Sequence, residues 1–122
     1  MRVAGLGFRQ GVKVSALREV LDAAGGHHNL AALATIGDKA AAGALVSLAD
    51  ELSLPIRTVS AADLTGVETS TRSECIVANF GVGSVAEAVA LVAAGRNARL
   101  VRSRVVSQDR TATAAIAEGD GP

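Results

Sequence analysis

Leu30-Ala31-Ala32-Leu33-Ala34-Thr35-Ile36 is a nearly unbroken apolar run. A strand with one wet face alternates apolar and polar residues. A strand buried on both faces does not, and such strands belong to parallel sheets covered by helices. The flanks agree with that reading. Upstream, Leu17, Val20, Leu21 and Ala24 fall at i, i+3, i+4 and i+7, one face of a helix. Ser15 is its expected N-cap, and Gly25-Gly26 its end. Before it, Arg2-Val3-Ala4-Gly5-Leu6 forms a short strand that enters the glycine-punctuated loop Gly7-Phe8-Arg9-Gln10-Gly11. Downstream, Leu45, Leu48, Ala49 and Leu52 repeat the helical spacing until Pro55 stops it. Residues 56–59 then give a third strand. The order βαβαβ implies a parallel sheet with helical crossovers.

The second half changes character. Ser60-Ala61-Ala62-Asp63 has the form of a variant capping box opening a short helix. Residues 66–73 are a polar loop, and 74–80 fit either a short helix or a strand, the helix being favoured. Gly81-Val82-Gly83-Ser84 is a second glycine turn, and Ser84 with Glu87 makes an S-x-x-E capping box. That helix runs to Ala94, where Gly95 closes it. Residues 99–107 and 111–117 are two strands joined by Gln108-Asp109-Arg110, hence an antiparallel hairpin. The expectation is one α/β domain over residues 1–117. Its sheet is mixed, mostly parallel, with helices on both faces. Residues 118–122 are expected as a frayed polar tail.

Composition narrows the function. The chain has 122 residues, 49% of them hydrophobic, with two Phe and neither Trp nor Tyr. Its core must be built from Ala, Val, Leu and Ile, which let helices approach a sheet closely. Twelve basic and twelve acidic residues cancel. No net field draws the protein to nucleic acid or membrane, and base stacking lacks aromatics. No apolar stretch is long enough to span a bilayer, and no signal peptide precedes the domain, so the expected location is the cytoplasm. Cys75 stands alone, which rules out an internal disulfide.

In open α/β sheets, ligands bind beyond the carboxyl ends of the strands. Residues 7–11, 35–39 and 60–63 should sit there. Gly5-x-Gly7-x-x-x-Gly11 is neither a dinucleotide fingerprint nor a phosphate-binding loop. Arg9 at its tip could clamp a carboxylate with two hydrogen bonds. Gly7 and Gly11 would let a ligand near the backbone, and Gly81, Gly83 and Ser84 would do the same at a second helix start. Lys39 follows the second strand. Arg96, Arg99, Arg102, Arg104 and Arg110 form the strongest charge run. On a regular strand Arg102 and Arg104 share a face. Two readings of them stay open: a charge-protected sheet edge, or a basic wall facing an anion. His27 and His28 lie side by side without further ligands at metal spacing, and no metal or other cofactor is expected. No nucleophile–base–acid set can be assembled.

Taken in order, four stretches resemble the CobE/CbiG C-terminal family of cobalamin (vitamin B12) biosynthesis. They are Gly5-Leu6-Gly7-Phe8-Arg9-Gln10-Gly11; Leu33-Ala34-Thr35-Ile36 with Lys39; Leu54-Pro55-Ile56 with Ser60-Ala61-Ala62-Asp63-Leu64; and Gly81-Val82-Gly83-Ser84-Val85-Ala86-Glu87-Ala88. The arginine-rich strand and residues 113–117 fit the family's end. At this length the chain looks most like the stand-alone CobE members. The resemblance implies a role in the pathway, with a carboxylate-rich corrin-ring intermediate (a precorrin) as the bound partner. The chain would then act as an accessory or carrier protein, delivering to a pathway methyltransferase. Two alternatives stay open. One is a CbiG-type hydrolase that opens a precorrin lactone and releases acetaldehyde. The other is a non-catalytic homodimeric interaction domain. In CbiG an N-terminal portion precedes this domain, and none precedes it in these residues, which weighs against hydrolysis. Many relatives also carry an acidic residue shortly after the strand-two lysine, where this chain has Ala40, Ala41 and Ala42. The resemblance therefore carries no acid–base role to that stretch.

Overall fold

The computed structural model describes residues 1–9, 11–26, 29–37, 43–60 and 85–121. Within them lie five strands and three helices. The order is β1 (Arg2–Phe8), α1 (Val14–Ala23), β2 (Leu30–Ile36), α2 (Gly43–Leu52), β3 (Ile56–Val59), α3 (Val85–Ala94), β4 (Arg99–Val106) and β5 (Ala112–Glu118). The strands form one sheet in the order β3-β2-β1-β5-β4. β1, β2 and β3 are parallel, while β5 runs antiparallel to both β1 and β4. The expected mixed sheet is therefore present, with the hairpin turned so that β5, not β4, lies beside the central strand.

Two cores sandwich the sheet. On one face, Ala4, Leu6 and Phe8 of β1 meet Leu17, Val20 and Leu21 of α1 and Leu45 and Leu48 of α2. On the other, Val3, Ala34, Val59 and Ala117 meet Ala88, Val89, Ala90, Ala93 and Ala94 of α3. Adjacent residues Val3 and Ala4 thus serve opposite cores, as the two-residue period of a strand requires. Helices cover both faces, and this is why β2 is apolar on both.

α3 comes unusually close to β1. A Cβ added at Gly5 would lie 2.6 Å from the Ala90 backbone nitrogen and would overlap the Ala86 carbonyl oxygen. Only glycine permits this approach. The small side chains of α3 lower the rest of the helix onto the sheet.

Two local expectations are corrected. Ser15 does not cap α1: the N-cap is Lys13, which makes no side-chain cap hydrogen bond, and the helix begins at Val14. The amides of Ala16 and Leu17 bond to the Lys13 carbonyl, so the helical ladder opens two residues earlier. Residues 118–121 are not a frayed tail. Glu118 ends β5 and pairs with Arg2 at 2.8 Å. The Gly119 amide donates to Met1 O, and the Gly121 amide to Ala94 O. Polar composition suggested a loose end, but Gly119 is small enough to lie against the end of α3. A Cβ there would sit 2.6 Å from Ala94 O.

Candidate ligand edge of the sheet

Because β1, β2 and β3 are parallel, Phe8, Ile36 and Val59 finish at one edge. β5 starts there too, since Ala112 stands opposite Phe8. The pairing continues one step beyond the strands, where the Arg9 amide donates to Thr111 O at 2.9 Å. The β4–β5 turn therefore lands beside the loop that follows β1. α1 begins at the same edge. α3 runs opposite to β1: Ala86 and Ala90 lie over Gly5, and Ala94 reaches Gly119 at the far end. Its N-terminus thus points back toward the ligand edge. Helix N-termini carry free N–H groups and a partial positive charge.

The end of β1 is held by its neighbours. The buried Thr35 hydroxyl donates to Leu6 O at 3.0 Å, and the Thr113 hydroxyl to Gly7 O at 3.3 Å. A Cβ at Gly7 would lie 2.8 Å from the Thr113 hydroxyl oxygen and would push that side chain off its bond to the Gly7 carbonyl. Gly11 has φ +83° and open space around it. Arg9 lies between them, exposed. Among the described residues no acidic side chain pairs with it.

The turn is dense in hydrogen bonds. Asp109 Oδ1 accepts from the Ser107 hydroxyl (2.7 Å), the Thr111 hydroxyl (2.7 Å) and the Thr111 amide (3.0 Å). The Thr111 hydroxyl, then Ser107, lower its pKa from 3.8 to about 2. Glu19 of α1 accepts from the Gln108 amide at 2.7 Å and ties the turn to the helix. Arg110, exposed, sits at φ +62°.

The sequence matches the family model of the cobalamin synthesis G C-terminus over residues 2–117. The chain belongs to that family. It is a cobalamin biosynthesis protein of the CobE/CbiG C-terminal type. Solved structures agree. The chain is similar to CobE, a protein from the cobalamin (vitamin B12) biosynthetic pathway. The two share 30% identity and a TM-score of 0.82, over all of this chain and 92% of that one. It is similar to the cobalamin biosynthesis protein chiG from Agrobacterium tumefaciens, at 32% identity and TM-score 0.71, over 98% of this chain and 99% of that one. A protein described as a cobalamin biosynthesis protein G homologue from Sulfolobus solfataricus shares the fold at 23% identity and TM-score 0.69; the match covers 95% of this chain and 36% of that one. No curated protein matches the sequence.

Of the residues singled out in this family member, Gly7, Arg9 and Gly11 come together at the ligand edge. Lys39, Gly81, Gly83 and Ser84 lie outside the described residues, as do Cys75, His27, His28, the expected helix start beyond Ser60 and the expected helix within 74–80. Arg102 and Arg104 lie on the outer strand β4, Arg104 the nearer to this edge, because its neighbour Val105 stands opposite Ala114 and so level with Leu6. Arg102 stands opposite Ile116, which stands opposite Ala4. At about 3.3 Å per residue, that is about 13 Å short of the edge, and two strand spacings add about 10 Å sideways. Nor do they follow a regular alternation. Arg102 pairs with Ile116 and Val105 with Ala114, so three steps on β4 oppose two on β5. The extra residue turns the Arg104 amide onto Glu87 Oε2, at 3.0 Å. Glu87 is fully buried on α3. Glu87 therefore also ties α3 to the outer strand, a contact the capping-box spacing does not announce; its expected capping partner Ser84 lies outside the described residues. Such bulges, with exposed arginines, are how natural sheets blunt an outer strand. Among the described residues no cluster of three His, Cys, Asp or Glu side chains could hold a metal. No described helix is long and apolar enough to cross a membrane.

Proposed function

We propose that this cobalamin biosynthesis protein binds a carboxylate-fringed corrin-ring intermediate at the ligand edge, as an accessory or carrier rather than a hydrolase. The observation that supports it most directly is Arg9. It is exposed, fixed by its own amide to Thr111 at 2.9 Å, and opposed by no acid among the described residues. Gly7 and Gly11 on either side keep the backbone accessible. Lys39, three residues beyond β2 in sequence, and Gly81, Gly83 and Ser84, just before α3, are proposed as further members. Arg102 is not carried into the site, because it lies away from this edge; Arg104, beside Val105 and so nearly level with Leu6, is proposed as an outer member on the flank. A carrier must hand its ligand on, and a pathway methyltransferase is the recipient proposed.

The test is a titration with hydrogenobyrinic acid followed by the visible absorption band, with comigration on a sizing column. Saturable binding that weakens with salt is expected, because exposed charges are screened. Arg9→Ala should weaken it about tenfold, the effect of losing one charge-assisted hydrogen-bonding group. No spectral shift and no comigration would sink the reading. Acetaldehyde release from a precorrin lactone would move it to hydrolysis.

A further inference from the structure

We propose that Arg110 is a second carboxylate-binding residue of this edge and acts as a pair with Arg9. The inference rests on the corrin-carboxylate reading above and adds a residue to that site. In sequence Arg110 closes an arginine run and ends the link between two hairpin strands. In the fold it is separated from that run. Arg102 lies on the flank of the sheet, while Arg110 lies in the turn that meets the end of β1. The Arg9 amide bonds to the Thr111 carbonyl, so Arg110 is one residue from Arg9's direct partner. Side chains as long as arginine, rooted that close, can reach the same ligand group or adjacent ones.

Two further observations set Arg110 apart. The first is its backbone. At φ +62° it occupies the left-handed position that hairpin turns usually give to glycine. A residue with a Cβ is strained there, and such strain gathers where a side chain has a task. The turn around it is tied down by hydrogen bonds on either side. The Arg110 amide donates to Ser107 O at 3.0 Å, the Thr111 amide is held by Asp109, and the Gln108 amide by Glu19. The second is its charge. Two carboxylates are close in the chain or the fold, and neither takes the guanidinium. Asp109 is turned onto Ser107 and Thr111, and Glu19 onto Gln108. Among the described residues no acid pairs with Arg110 or with Arg9. Two neighbouring guanidinium groups that no acid among the described residues neutralises attract a carboxylate, and each can take one bidentately. The ligand class that follows is a polycarboxylate with acid groups closely spaced along a rim.

The decisive variant is Arg110→Gly. It removes the guanidinium and also removes the strain, so stability and affinity should move in opposite directions. The thermal midpoint should hold or rise. Affinity for hydrogenobyrinic acid should fall about tenfold, as for Arg9→Ala. Removing both should cost less than the product of the two single effects, because they share a ligand. Should Arg110→Gly bind within about twofold of the native protein while Arg9→Ala is weakened, Arg110 is refuted and the edge site survives. A joint fall in midpoint and affinity would make Arg110 a structural residue of the turn and also overturn the proposal. If the native protein fails to bind, or both variants bind unchanged, the edge reading falls and this inference with it.

Discussion

Gly5→Ala should be among the most damaging single-methyl changes in this chain. The added Cβ would stand 2.6 Å from Ala90 N and 2.9 Å from Ala90 Cβ, and nearer still to Ala86 O. Ordinary contact begins near 3.4 Å, so α3 must lift by at least the difference, 3.4 − 2.6 = 0.8 Å. The atoms in the way are mostly backbone, and no rotamer change clears them. A radial gap of about 0.5–1 Å forfeits a quarter to a half of the dispersion well for each facing atom pair. Overpacking of this kind costs about 1–3 kcal/mol, and the backbone contacts place Gly5 at the upper end. With about 2.1 cal/mol/K of unfolding entropy per residue and 122 residues, 3 kcal/mol lowers the midpoint by about 12 °C. Calorimetry or thermal circular dichroism reads this directly. Gly11→Ala is the control. It has φ +83° and nothing within 4 Å, so it carries only the left-handed backbone penalty of about 1 kcal/mol. Its midpoint should fall by about 4 °C. A Gly5→Ala midpoint within about 2 °C of the native value would refute the docking of α3 on β1.

Two other changes test the polar framework. Asp109 has a pKa lowered to about 2, so its contribution to stability is present above the unfolded value near 4 and fades as pH falls toward 2. Asp109→Asn should flatten that part of the acid limb in midpoints measured between pH 2 and 5; an unchanged limb would rule out the turn network as its cause. Glu87→Leu leaves the Arg104 amide facing an apolar side chain and should cost about 1–3 kcal/mol in urea unfolding, whereas Glu87→Gln keeps an acceptor and should cost less. Equal losses in both would mean that the bond to Arg104 is not what Glu87 contributes.

The local signals that survived in the structure are those with one dominant cause. The apolar run 30–36 became β2 because burial on both faces leaves no other strand pattern. Leu17, Val20 and Leu21 are buried on α1, and Leu45, Leu48 and Ala49 on α2, because a 3.6-residue period fits one face of a helix. Long-range choices were less visible. Nothing in residues 99–117 says which of two hairpin strands joins β1. The serine at position 15 looked like a cap, yet Lys13 took the position without a side-chain bond. Capping preference is weaker than the tertiary packing that sets where Val14 enters the helix. Glu87 has the sequence spacing of a capping-box residue, and only the fold reveals that β4 also brings it a backbone amide. The expectation that Arg102 and Arg104 share a face assumed an unbroken period of two, and bulges break that period.

The placement of β5 explains both what the sequence revealed and what it hid. Had β4 joined β1, it would have paired with it in parallel, its arginines one strand from the centre. Because β5 takes that place, antiparallel to β1, Thr113 lies opposite Gly7, 106 positions away in sequence, and bonds to its carbonyl. The same pairing carries the turn to Arg9. The arginine run is thereby cut in two. Arg99 and Arg102 go to a bulged outer strand, where charge keeps the edge from pairing with other chains. Arg110 goes to the end of the sheet where parallel strands present their ligands. A linear pattern of charge therefore mixes two places in the fold. The antiparallel insertion of one strand separates them, and it leaves at the ligand edge the arginine that, among those described, has a left-handed backbone.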